Sequence, residues 1–245
     1  MNGATARTAR PVRILMYTAY FDPEYSGAAL QALTLAKELR QRGHHVEFVT
    51  IRWPGLGEKA VVEQFPVQRL ELGRARKHRE FRLWFNLARY VWTRRDDFDV
   101  LHSHGAYFTN AFVGPLARIV GMKSLIKASL AHDDLEGLRR PLLGRLHRYM
   151  LRCIDGHIAI SQDLVEEFRA GGVAEQNIHY VPNGVDIERF CPVTTDARLR
   201  LRAGLGLPLD QRIALFVGVL DERKNVTWLA KCWLKQQLGT QARCV

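Results

Sequence analysis

From position 13 onward, apolar runs of strand length alternate with stretches in which apolar residues recur at helical spacing. That alternation is the pattern of repeated βαβ units, and it predicts an α/β fold with a parallel sheet covered by helices on both faces. The runs predict strands at 13–17, 46–50, 67–70, 100–102, 124–128, 157–160 and 179–181, separated by helices at 28–41, 81–94, 109–120, 142–153 and 162–170. Several boundaries carry their own signals. Gly43 follows the basic tail of the first helix, Gly121 stops the third, and Ser161 stands where an N-cap is needed.

After Pro182-Asn183-Gly184 the pattern changes to a polar connection through Cys191, Pro192 and Asp196. A helix at 197–203, a buried strand at 212–217, a helix at 225–233 and the start of a further strand at 242–245 then predict a second domain. The expected division is a first domain over 13–190, with a linker and an incomplete second domain over 191–245. A piece that small is not expected to bury its own faces well. Residues 1–12 are small, polar and basic without an apolar stretch, and are expected to form a disordered leader and not a signal peptide.

Composition narrows the class. With 47% hydrophobic and 25% charged residues in 245, the chain is globular in make-up, and no apolar run is long enough to cross a bilayer. A cytoplasmic protein is expected. Cys153, Cys191, Cys232 and Cys244 are scattered without metal-type spacing and are expected to be reduced thiols. The net charge of +11 predicts attraction to polyanions, whether nucleic acid, anionic lipid or phosphorylated small molecules.

Ligands of parallel α/β sheets bind at the carboxyl ends of the strands, and three segments place chemistry there. The loop before the first helix ends in Ser26 and Gly27, where unpaired helix N–H groups suit a phosphate or sugar hydroxyl; the alternative is an ordinary strand-to-helix turn. It is not a dinucleotide fingerprint. His102 and His104 close the fourth strand, and without a nearby third ligand they read as hydrogen-bonded structural residues more readily than as a metal site. His132, followed by Asp133 and Asp134, ends the fifth strand, where a histidine whose tautomer is fixed by a carboxylate can donate to a sugar hydroxyl; an exposed polar loop is the alternative. The segment 69–95 interleaves Arg74, Arg76, Lys77, Arg82 and Arg89 with Phe81, Trp84, Phe85 and Trp92, a mixture that fits an anionic membrane surface or a plain solvated amphipathic helix. It carries no nucleic-acid motif.

Four segments in order resemble the N-terminal half of family-four glycosyltransferases: YSGAALQALTLAKELRQRGHHVEFVT, DVLHSHG, IDGHIAISQDLVEEF and VPNGVDIERF. The resemblance spans about 13–233 and implies a GT-B architecture, in which two Rossmann-like domains hold the acceptor and a nucleotide sugar between them. It implies retaining, metal-independent transfer of sugar from a nucleotide-sugar co-substrate to a glycan or lipid-linked acceptor, with no other cofactor. By the same resemblance, Gly27 borders the phosphates and sugar, His132 contacts the transferred sugar, and Lys224 matches the lysine of the diphosphate-binding motif. Ser26, His104, Asp133, Asn183 and Gly184 complete the expected donor and acceptor contacts.

The sequence departs from the family pattern in three places. Ser26-Gly27-Ala28 stands where relatives pair glycines, Val219 stands where an arginine is usual, and the acidic ExxxxxxxE segment is missing. Little or no turnover is therefore expected of this chain on its own, as a truncated enzyme. The alternative function is a non-catalytic domain that binds an acceptor or a partner. A nucleic-acid-binding role rests on charge alone, and nucleic acid is not an expected partner.

Overall fold

The computed structural model describes residues 10–23, 26–73, 79–218, 220, 222–235 and 242–244. The expected leader falls almost wholly outside the described residues, as do Arg74, Arg76, Lys77 and Val219. The chain divides into two compact units between Gly184 and Val185.

Among the described residues, the first unit is built on eight strands: β1 Arg13–Thr18, β2 His45–Arg52, β3 Lys59–Val62, β4 Phe65–Glu71, β5 Val100–His104, β6 Lys123–Ala128, β7 Gly156–Ala159 and β8 Ile178–Tyr180. Their order is β3-β4-β2-β1-β5-β6-β7-β8. All neighbours run parallel except β3, which pairs antiparallel with β4 at the edge. The sheet is thus mixed and not purely parallel. The hairpin turns at Glu63 and Gln64, both in the left-handed region (φ 47° and 70°), and neither residue type advertises such a turn.

Five helices of the first unit cover the sheet: α1 Gly27–Gln41, α2 Arg79–Thr93, α3 Val113–Val120, α4 Pro141–Arg152 and α5 Gln162–Ala170. Two cores divide them by face. Ala29, Ala32, Leu33 and Ala36 of α1 pack with Met16, Phe48 and Val67 on one side. Leu87 of α2, Leu116 of α3, Leu151 of α4 and Phe168 of α5 pack with Leu15, Tyr17, Leu101 and Ile126 on the other. The pleat explains the division, because successive strand residues such as Leu15 and Met16 point to opposite faces.

The caps act as their residue types dictate. Ser161 accepts the Leu164 N–H at 3.4 Å, and Gly121 ends α3 at φ 78°. The expected helix at 109–120 begins only at Val113, after a 3-10 turn Asn110–Phe112, because Asn110 is drawn inward to Ser103 Oγ at 3.1 Å. Gly114 lets α3 and α4 approach closely: a Cβ there would lie 2.6 Å from both Ile154 Cγ1 and the Met150 carbonyl. Gly114→Ala is expected to cost about 1–3 kcal/mol through overpacking, read as a lower thermal midpoint. An unchanged midpoint would mean that α3 and α4 separate freely.

The second unit, described by itself, contains α6 Thr195–Gly204, β9 Arg212–Ala214, α7 Val226–Lys235 and β10 Ala242–Cys244, with β9 and β10 paired in parallel. The strand expected to be buried over 212–217 is corrected here. It is three residues long, and Leu215 and Val217 beyond it are largely exposed. Two short strands offer too little surface to cover an apolar run. Among the described residues of both units, no helix is long and apolar enough to cross a membrane.

Candidate active site

The carboxyl ends of β1, β5, β6 and β8 gather most of the residues singled out by the sequence. At the end of β1, Arg69 from β4 holds the loop by donating to the Asp22 carbonyl and to Asp22 Oδ2, at 3.1 and 3.2 Å. Ser26 then caps α1: its Oγ accepts the Ala29 N–H at 3.1 Å. That bond uses one lone pair of the hydroxyl and leaves its O–H and second lone pair for a ligand. Gly27 behaves differently. A Cβ at Gly27 would meet nothing within 4 Å, so the helix start faces open space. Gly27→Ala is expected to leave the fold intact and to lower activity about tenfold or more by displacing a close-lying ligand. Unaltered turnover beside an unaltered thermal midpoint would remove the ligand from Gly27.

His104, expected among the donor and acceptor contacts, lies beside His102 inside the fold. Its ring and that of His102 are almost fully buried, with centroids 4.3 Å apart. His102 Nε2 and both ring nitrogens of His104 have no hydrogen-bond partner in the protein. Burial, reinforced by Lys127, pulls His102 down to about 4, and burial, His102 and Lys127 pull His104 well below its ordinary value. Both are neutral at pH 7.

Lys127 is the residue that sequence reading passed over. It pairs in register with His104 across β5 and β6, is 9% exposed, and donates to Asn183 Oδ1 at 2.7 Å. Desolvation lowers its pKa. A lysine near a strand end reads as surface, and only its position in the middle of the sheet buries it. The contact ties the Pro182-Asn183-Gly184 turn to the edge of the sheet. Asn183 and Gly184 are exposed there.

The β6 loop is the most organised part of the site. Asp134 is buried, and its Oδ2 accepts the N–H groups of Ser129 and Leu130 at 2.6 and 3.3 Å. Desolvation raises its pKa, opposed by those hydrogen bonds. Nearby Tyr107 is pushed up to about 12, first by burial and then by Asp134. Asp134 therefore shapes the loop, while Asp133 is exposed.

His132 projects from this loop in the left-handed region at φ 69°, a conformation rarely adopted by a residue with a side chain. Its ring is 68% exposed, and its Nδ1 lies 2.9 Å from Glu167 Oε1, which also accepts the His132 N–H at 2.7 Å. The carboxylate that orients the ring is Glu167 of α5, not a neighbouring aspartate. With Nδ1 occupied, Nε2 is the nitrogen left for a ligand.

Lys224 lies in the second unit, in an exposed 3-10 turn Glu222–Lys224 that leads into α7. Among the described residues, no three His, Cys, Asp or Glu side chains come together as metal ligands do.

Comparison with known proteins identifies the family and the fold. The chain is 31% identical over 135 residues to a D-inositol 3-phosphate glycosyltransferase of Xylanimonas cellulosilytica, a match covering 49% of this chain and 31% of that protein. The matched part thus spans less than a third of the relative's length. Among solved structures, sucrose-phosphate synthase from Thermosynechococcus elongatus superposes with a TM-score of 0.70 at 18% identity, covering 96% of this chain and 70% of that one. HepE of Anabaena in complex with UDP-glucose superposes with a TM-score of 0.62 at 15% identity, covering 96% and 68%. These neighbours share the GT-B fold. The family model described as a glycosyl transferase 4-like domain matches residues 26–184, well over half of the sequence, and the chain belongs to that family.

Proposed function

We propose that the first unit carries the acceptor side and the sugar-contacting histidine of a glycosyltransferase. In this reading a sugar passes from a nucleotide-sugar donor to a glycan or lipid-linked acceptor, with retention of configuration and without a metal ion. The observation that carries the reading is His132, held in a left-handed conformation with Nδ1 on Glu167 and Nε2 facing outward at the carboxyl edge of the sheet. An imidazole so oriented offers Nε2 for one hydrogen bond at a defined point, which suits a sugar hydroxyl. The α1 N-terminus at Gly27 offers N–H groups and a positive dipole end to phosphate. Lys224 of the second unit would meet the donor diphosphate. The neighbour holding UDP-glucose supports a nucleotide-sugar donor. The expected setting is cytoplasmic, with the segment 69–95 against an anionic membrane surface.

The test is acceptor-dependent product formation from a panel of nucleotide sugars with sugar-phosphate and lipid acceptors, read by mass spectrometry and by the anomeric signal of the product. Slow transfer with retention, insensitive to EDTA, is expected. Inversion, or loss of transfer in EDTA, would overturn the mechanism. The second reading, a binding protein without turnover, draws on the exposed apolar residues Leu215 and Val217 in the second unit. Acceptor binding in saturation-transfer spectra with no product from any donor would favour it.

A further inference from the structure

The helices on the α2 side of the sheet do not end in a polar outer surface. In α4, Leu142 (82% exposed), Leu146 and Tyr149 follow one another at positions i, i+4 and i+7, forming an outward ridge. Next to α4, α3 exposes Ile119, and α2 beyond it exposes Phe81 and Phe85, at 70%, 69% and 68%. The layer is continuous, since α2 contacts α3 and α3 contacts α4. It is also locked by rings: Phe81 meets Trp84 edge-on, Trp84 stacks on Phe112 at 4.9 Å and meets Phe108, and Phe108 meets His147 of α4 edge-on.

Charge decides what such a surface fits. Within Pro141–Arg152 there are three arginines and no acidic residue, and Arg139 and Arg140 stand immediately before it. A second copy of the chain docked on this ridge by two-fold symmetry would set arginines against arginines, a repulsive arrangement. An anionic lipid surface neutralises them and accepts the leucines and tyrosine below its headgroups. Helices α2 and α4 each follow a parallel strand, so their exposed N-terminal halves stand at the carboxyl edge that carries the candidate site.

We propose that the α2–α3–α4 layer is an anionic-bilayer docking face, with the α4 ridge as its principal contact. This extends the membrane reading of segment 69–95 to a separate helix. The lipid test contains neither donor nor acceptor, so its failure leaves the transferase reading standing. The full chain is sedimented with vesicles of phosphatidylcholine alone and of phosphatidylcholine mixed with phosphatidylglycerol. Binding to the mixed vesicles only, weakening as salt rises, is expected. Arg145→Gln with Arg152→Gln should weaken it about thirtyfold, and Leu142→Ser with Leu146→Ser about tenfold or more. All four positions are exposed, and the leucine pair should leave the thermal midpoint unmoved, whereas Arg152 also donates to the Gly172 carbonyl and its loss should lower it slightly. Equal binding to both vesicles would overturn the proposal. So would binding lost through Phe81→Ser with Phe85→Ser but untouched by the α4 substitutions, or a dimer that those α4 substitutions dissociate.

Discussion

Acidification from about pH 7 to pH 5 is expected to remove most of the stability of the first unit, about 2 kcal/mol for each of three histidines held near 4 against an unfolded value near 6.5. His102, His147 and His157 are each pulled down to about 4, chiefly by burial. His147 Nε2 donates to the Ala106 carbonyl, and the neutral His157 ring donates to one of the two carbonyls beside it, Leu151 or Asn177, which partly offsets the desolvation. The sign follows from proton uptake. Between pH 6.5 and 4 the unfolded chain binds protons that the folded chain refuses, so stability is full above that window and falls as pH falls through it. His104 adds to the effect in the same direction. Asp134 opposes it, because its raised pKa lets the folded state take a proton more readily.

Asp99 is held at about 2 by the hydrogen bond from the Arg13 side chain, so it titrates below the window. Urea unfolding at a series of pH values should give a slope of about three protons taken up on unfolding between pH 5 and 6. A flat profile from pH 7 to 5 would show that the histidines are protonated in the folded protein, through water reaching the orphaned nitrogens of His102 and His104.

His132→Asn is expected to lower transfer by about a hundredfold or more, the scale for losing a preorganised hydrogen-bonding group at a reacting centre. Asparagine is the informative substitute because it tolerates the left-handed backbone that alanine strains, and the His132 N–H to Glu167 is kept. The fold should not respond, since the ring is exposed. Glu167→Ala acts through the ring's orientation, so a smaller loss is expected, mostly in kcat and with little change in donor KM. The double variant should be no worse than His132→Asn alone, as positioning has no value once the ring is gone. Activity of His132→Asn within about threefold of the parent, below 1 kcal/mol of transition-state binding, would take His132 out of the site.

The two experiments read different kinds of information in the chain. Alternating apolar runs placed α1 and α5 within one residue at their starts, because helix period, capping serine and terminating glycine are local properties of neighbouring residues. The same locality placed His132 in the loop after β6 and Asn183-Gly184 in the segment after β8. The β3–β4 hairpin was invisible because Glu63 and Gln64 take turn conformations that their side chains do not favour and only the sheet edge imposes.

Partnership across the chain belonged to the tertiary structure alone. Glu167 reaches His132 from 35 positions away, and Asn183 reaches Lys127 from 56. No local pattern encodes either pair, since each depends on which strands the crossovers make adjacent. Burial divided in the same way. Periodicity marks a strand as apolar, yet whether His104 is enclosed and Leu215 exposed depends on how many neighbouring elements cover it. Local residue order thus sets where the chain turns and which faces are apolar, and only packing decides which polar groups lose their water and acquire the shifted proton affinities at the candidate site.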